Sequence, residues 1–134
     1  MSDTSYKTIK LDFVAEGLFE DRKSRFIAQL CHVETESEAQ AFLATVRAKH
    51  YNARHNVPAW ILEDGTERAS DDGEPSRTAG MPVLEVLRGA ELKNVCCVVT
   101  RYFGGTLLGP GGLVRAYTAA TQEALAAAEE ASAV

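Results

Sequence analysis

The chain has 134 residues and a formal net charge of −5, and 46% of its residues are hydrophobic. This length and composition predict one soluble globular domain over residues 1–134, with a core of its own. The sequence contains no apolar run near the roughly 20 residues of a membrane span, and residues 1–5 do not resemble a signal peptide. Three cysteines are too few for a disulfide framework. We therefore expect a cytoplasmic protein with buried thiols and no membrane partner.

The acidic charge is concentrated in one segment. Residues 63–80 carry two arginines and six carboxylates, whereas the rest of the chain is nearly neutral. The overall charge excludes a broadly basic nucleic-acid binder, but a local basic face is still compatible with it. Because residues 63–80 contain no aliphatic side chain larger than alanine, we expect them to form a mobile loop.

The first half of the chain predicts three strands and one helix. Apolar residues alternate with polar ones over 9–13, which indicates a half-buried strand, and residues 26–33 predict a second strand. A capping-box pattern that begins at Ser37 predicts a helix that ends near Lys49. Residues 59–62 predict the third strand.

The second half predicts a short helix over 82–88, a strand over 95–99 and a long helix over 113–129. The strand over 95–99 lacks alternation, so we expect it to be central and covered on both faces. The resulting order is ββαβαβα. It predicts an α/β (α+β) fold, a two-layer sandwich in which a four-stranded mixed sheet carries its helices on one face.

A glycine-rich loop lies between the last strand and the last helix. Residues 104–112 contain five glycines and one proline, with Arg101 before them and Arg115 after them. A glycine-rich connection into a helix can expose backbone N–H groups to an anion, although it can equally be a tight turn. The spacing matches neither common nucleotide-binding fingerprint. The expected nucleic-acid or anion site comprises Arg25, His55, Arg101, Gly104, Gly105, Gly111, Gly112 and Arg115.

Two other patterns are weaker candidates for chemistry. Asp71, Asp72 and Glu74 could hold a hard cation, but they lack the spacing of a calcium loop and fit turns equally well. A Ser/His/Asp set can be assembled around His55, yet no nucleophile-elbow motif supports it. We therefore predict no metal site, no cofactor and no catalytic residue.

Four ordered motifs together resemble one family, the bacterial YigZ proteins and the eukaryotic Impact proteins, over residues 6–128. They are Ser24-Arg25-Phe26, Ala53-Arg54-His55-Asn56, the run from Ser70 to Ser76 with Thr78-Ala79-Gly80, and the run from Arg101 to Gly105 with Leu108-Gly109 and Gly112-Leu113. The resemblance implies a fold similar to domain 2 of small-subunit ribosomal protein five and to domain IV of elongation factor G. It also implies a role in the regulation of translation.

The sequence departs from the family pattern at three points. Arg77 stands where the family usually has glycine, and Val57 stands where it often has cysteine, which excludes thiol chemistry at that position. Bacterial relatives usually continue into a ferredoxin-like domain, and the sequence is expected to lack it.

These observations favour a non-catalytic binding domain that contacts RNA, the ribosome or a translation-factor protein. Phosphate contacts from arginines and free N–H groups would position a nucleic acid without reading its bases. The alternative is a phosphate-handling enzyme that uses the glycine-rich loop 104–112. A third hypothesis, a peptidase-like activity, lacks a zinc ligand set and a nucleophile motif in this sequence.

Overall fold

The computed structural model describes residues 6–132, which form one five-stranded sheet and three helices. The elements are β1 (Val14–Asp21), β2 (Ser24–His32), α1 (Glu36–Lys49), β3 (His55–Ile61), β4 (Glu67–Ala69), α2 (Gly80–Gly89), β5 (Val95–Tyr102) and α3 (Gly109–Ser132). This arrangement confirms the predicted α+β class.

The strands are ordered β1-β2-β5-β3-β4, and every neighbouring pair is antiparallel. β2 and β3 run in the same direction, but β5 lies between them and is antiparallel to both. No two neighbouring strands of this sheet are therefore parallel. The prediction of a mixed sheet was therefore wrong. The predicted count of four strands missed β4, because its three residues, Glu67–Ala69, carry no apolar alternation.

The helices cover both faces of the sheet, which corrects the prediction that they share one face. α2 and α3 pack on the face that carries Cys97 and Val99. α1 packs on the opposite face, against Cys96 and Val98. β5 is buried along nearly its whole length, as its lack of alternation predicted. A central strand that is buried on both sides requires a covering layer on each side. The apolar run in the sequence therefore already indicated helices on both faces of the sheet.

Every predicted element has at least one boundary that differs from the structure; β3, for example, spans His55–Ile61 instead of 59–62. Residues 9–13 are not a strand; β1 begins at Val14 and joins β2 through a two-residue turn. The cap of α1 is Thr35, whose hydroxyl accepts from the Glu38 N–H at 3.1 Å. α2 begins at Gly80, two residues before the predicted start. α3 begins at Gly109, so its first turn takes in part of the predicted loop.

α3 lies unusually close to β1. A Cβ built on Gly17 would collide with the backbone of Ala124, and the small side chains of Ala120, Ala124 and Ala128 are all fully buried. This contact anchors the long helix across the sheet and directs its first turn towards the end of β5.

Candidate functional site

The end of β5 and the starts of β2 and β3 meet at one end of the sheet. Arg101 lies opposite Phe26 of β2 and opposite His55 of β3. Directly opposed residues share a face, so Arg101 and His55 point to the side covered by α3. A cavity of about 310 Å³ opens there, and its lining includes Arg54, His55, Glu74, Arg101, Phe103 and Leu113.

A buried ion pair forms the floor of this cavity. The Arg101 guanidinium donates through one nitrogen to both Glu74 oxygens at 2.9 Å, and both side chains are almost fully buried. The Tyr117 hydroxyl donates to the same carboxylate at 2.5 Å, and His55 Nε2 lies 3.4 Å from it. Burial raises the pKa of Tyr117, and the adjacent Glu74 charge raises it further, so the phenol remains a donor.

Asp71, Asp72 and Glu74, the carboxylates weighed above as cation ligands, each have protein partners. Those of Glu74 are described in the preceding paragraph. Asp71 accepts hydrogen bonds from the backbone N–H groups of Arg77, Ala79 and Gly80, at 2.9 to 3.2 Å, and so caps the start of α2. Asp72 accepts from the Asn56 N–H at 2.7 Å. The acidic segment is therefore held to the sheet by its own charges.

His55 is oriented by the same segment. Its Nδ1 lies 2.7 Å from the Asp72 carbonyl oxygen, which can only accept, so Nδ1 carries the proton. Gly73, with φ of +89°, packs directly against the imidazole ring. The turn thus fixes the orientation of the His55 ring, with Nε2 facing Glu74.

The glycine-rich segment divides into two parts. Gly104 and Gly105 precede α3, whereas Gly111 and Gly112 belong to its first turn. Arg115 is exposed, and its guanidinium lies back over that turn, 3.4 Å from where a Cβ on Gly111 would be.

Arg25 is not brought to this cavity. It lies opposite Tyr102, one residue out of phase with Arg101, and therefore occupies the other face of the sheet. Its guanidinium is 5.8 Å from the Tyr102 ring and 3.6 Å from the Glu20 carboxylate. Of the eight predicted site residues, the structure brings His55 and Arg101 into direct proximity beside the glycine-rich segment.

Several residues that shape the site were not predicted from the sequence. The Arg54 guanidinium stacks 4.7 Å from the centre of the Phe103 ring, and Leu107 is 80% exposed at the cavity mouth. Glu74 was considered only as a metal ligand. The sequence did offer a signal for the Arg101–Glu74 pair, because a buried arginine needs a carboxylate partner. Glu74 belongs to the acidic motif, which lies beside His55 in the fold.

The cysteines play no part in the cavity. Cys31, Cys96 and Cys97 are buried and unbonded to one another, as predicted. Burial raises the pKa of Cys31 and Cys97 to about 12 and also raises that of Cys96, so their nucleophilic thiolate forms are suppressed.

The model of the Impact N-terminal domain matches residues 22–125 of this chain. The chain belongs to the Impact family. This confirms the family predicted from the four motifs. The chain is 50% identical over 123 residues to Impact family member YvyE of Bacillus subtilis, a match that covers 90% of the chain and 56% of YvyE. The chain thus spans about half the length of such relatives.

Two solved structures resemble the domain. One, described as a hypothetical protein, superposes with a TM-score of 0.85 at 40% identity and covers 90% of this chain and 60% of its own. The other, described as the two-domain translational regulator Yih1, gives a TM-score of 0.55 at 28% identity and covers 94% and 51%. These matches confirm the fold class, and the second is with a protein described as a translational regulator.

None of the described helices is long and apolar enough to cross a membrane. The described side chains also include no cluster of three or more His, Cys, Asp or Glu residues suited to a metal ion.

Proposed function

We propose that this chain is a non-catalytic binding domain that acts in the regulation of translation by contacting RNA, in the first place the RNA of the ribosome. The observation that carries the proposal is the structural match to the translational regulator Yih1 over nearly the whole chain. Family membership extends that link to relatives in bacteria and eukaryotes. Since fold similarity alone does not determine function, the site must supply the rest of the argument.

The hydrogen bonds among the buried side chains support a role without catalytic turnover. Glu74 already accepts from Arg101 and Tyr117, so this carboxylate is held as a structural anion rather than as a free base. The Tyr117 phenol, with its raised pKa, is committed as a donor to that carboxylate. These hydrogen bonds fix the floor of the cavity. Contacts with a partner must therefore come from the exposed residues around the cavity opening, which we call the cavity rim.

The cavity rim and the neighbouring start of α3 supply the features that RNA contact needs. Arg54 is exposed and stacks on Phe103, which gives a cationic and aromatic surface for an unpaired base. Arg115 is exposed over the first turn of α3, where a helix start favours negative charge. Arg101 supports this rim from below, because its guanidinium lies 5.5 Å from the Phe103 ring.

Binding of a fluorescent single-stranded RNA, followed by anisotropy across a salt series, tests the proposal. An Arg54→Ala, Arg115→Ala double variant should bind more weakly, and its salt slope should fall by about 1.4 for two lost contacts to single-stranded phosphate. Arg68→Ala is the control, because Arg68 is also exposed but lies on the edge strand β4, where it pairs with Glu36. Equal affinity of wild type and double variant would overturn the RNA assignment.

The start of α3 favours a second candidate, a phosphate-handling enzyme. Gly109 and Gly111 in the first turn leave room for a nucleotide phosphate to approach the backbone. A thermal-shift comparison separates the two functions, since a ligand at 100 times its Kd stabilises a protein by about 2.7 kcal/mol. A shift with ATP and Mg²⁺ but none with RNA would favour the enzyme.

A further inference from the structure

The turn between β1 and β2 has an unusual composition for its shape. Arg22 and Lys23 alone connect the two strands, with φ values of +48° and +69°. Two consecutive residues in the left-handed region define a turn for which Asn-Gly is strongly preferred. Arginine and lysine reach this conformation only with strain.

Nothing within the domain explains the choice of these two side chains. Both are exposed at the tip of the hairpin, and the hydrogen bonds and ion pairs of the described residues do not include either side chain. Persistent strain at an exposed turn, without a packing role for the side chains, points to selection for what they contact. Both side chains are cationic, so the contact is with an anion.

The hairpin tip is fixed to the glycine-rich segment. The Gly104 N–H donates to the buried Ser24 hydroxyl at 3.1 Å, and a Cβ on Gly104 would collide with the backbone of Lys23 and Ser24. The tip is therefore held rigidly beside the loop that leads to α3. Arg54 and Phe103 lie at the same end of the sheet, immediately before β3 and immediately after β5.

We propose that Arg22 and Lys23 contact the phosphate backbone of the RNA that the cavity rim engages. This inference rests on the proposed function and extends its surface by one hairpin. The acidic residues adjacent to the tip along the hairpin are Glu20, which is paired with Arg25, and Asp21 at the end of β1. Exposed cations without an aromatic neighbour at the tip suit phosphates, whereas the Arg54–Phe103 stack suits a base.

Replacing the tip with Asn-Gly tests this assignment, because the same change relieves the strain and removes the charge. The Arg22→Asn, Lys23→Gly variant should unfold at a higher denaturant concentration than the wild type. Its affinity for single-stranded RNA should nevertheless fall about tenfold near 100 mM salt, with a salt slope lower by about 1.4. A gain in stability together with a loss of binding cannot be attributed to misfolding.

Two controls make the result specific. The swapped variant Arg22→Lys, Lys23→Arg keeps both charges and should bind RNA like the wild type, and Lys10→Ala removes an exposed lysine elsewhere. Full RNA affinity in the Asn-Gly variant would overturn the inference, and the proposed function would stand if Arg54→Ala, Arg115→Ala still weakened binding. Loss of binding to polyglutamate, with RNA affinity kept, would assign the tip to an acidic protein instead.

Discussion

Glu74 is the residue on which the interior of the site depends. It neutralises the buried Arg101 guanidinium and also accepts from Tyr117. A buried charge is tolerated only when it is paired and hydrogen-bonded, so removal of this carboxylate leaves an arginine without compensation. Arg101, predicted to hold an anionic ligand, pairs with a carboxylate of its own chain.

Glu74→Gln should lower the free energy of unfolding by about 3–5 kcal/mol, as expected when one partner of a buried ion pair is removed. Urea denaturation followed by far-UV circular dichroism would measure the loss. The double variant Glu74→Gln, Arg101→Met removes both charges and should recover most of the stability. A loss below about 1 kcal/mol in the single variant would contradict the buried pair.

Arg77 occupies a backbone position that suits glycine. Its φ of +66° is left-handed, and its side chain is exposed. Arg77→Gly should therefore stabilise the domain by about 0.5–1 kcal/mol, since relief of strain outweighs the added freedom of the unfolded chain. Thermal or urea denaturation measures the gain. Arg77→Ala removes the same charge but keeps the strain, so an equal gain from alanine would show that charge, not φ, is responsible.

Among the elements, α3 depends most on close backbone approach. Gly17 of β1 leaves no space for a side chain between the strand and the helix backbone at Ala124. This contact positions α3, whose first turn carries Gly111 and Gly112 beside the cavity. The strand and the long helix thus act together to place the glycine-rich segment.

Gly17→Ala should destabilise the domain by at least about 2 kcal/mol, because a Cβ meets backbone that cannot rotate away. Gly89→Ala is the matched control: no atom lies near its Cβ position, and alanine in α2 should stabilise by about 0.5–1 kcal/mol. Chemical denaturation of the two variants measures both effects. Equal stability of both variants would contradict the close packing of α3 on β1.

Local patterns predicted the elements that bury one clear stripe or a continuous apolar run. The helix that ends at Lys49, the strand from Val95 and the fold class were all predicted correctly. β1 was missed because Gly17 and its acidic residues weaken the alternation, and β4 because it contains no apolar stripe. These strands form through pairing with partners distant in the chain, which a local pattern does not contain.

The site was predictable only where chain neighbours define it. Arg101 and Gly104 lie on one short segment, and His55 follows from the alignment of strand ends. The face on which Arg25 points depends on a register offset of one residue, and the pairing of Glu74 with Arg101 spans 27 positions. Such information resides in the tertiary fold.

Across the whole molecule, the net charge is acidic, but several exposed lysines and arginines lie at one end of the sheet. Of the chain's 14 lysines and arginines, Arg22, Lys23 and Arg54 are exposed at the end of the sheet that holds the cavity, and Arg115 is exposed near the start of α3. With a net charge of −5, binding to RNA must come from this end, because the average surface repels phosphate.

Co-sedimentation with purified ribosomes through a sucrose cushion, at low and at moderate salt, tests the proposed contact with ribosomal RNA. The wild-type chain should pellet with ribosomes at about 50 mM salt and be released towards about 200 mM. The Arg54→Ala, Arg115→Ala variant should stay in the supernatant at both, while Arg68→Ala behaves like the wild type. A wild-type chain that remains in the supernatant at low salt, or a double variant that pellets equally well, would contradict the account.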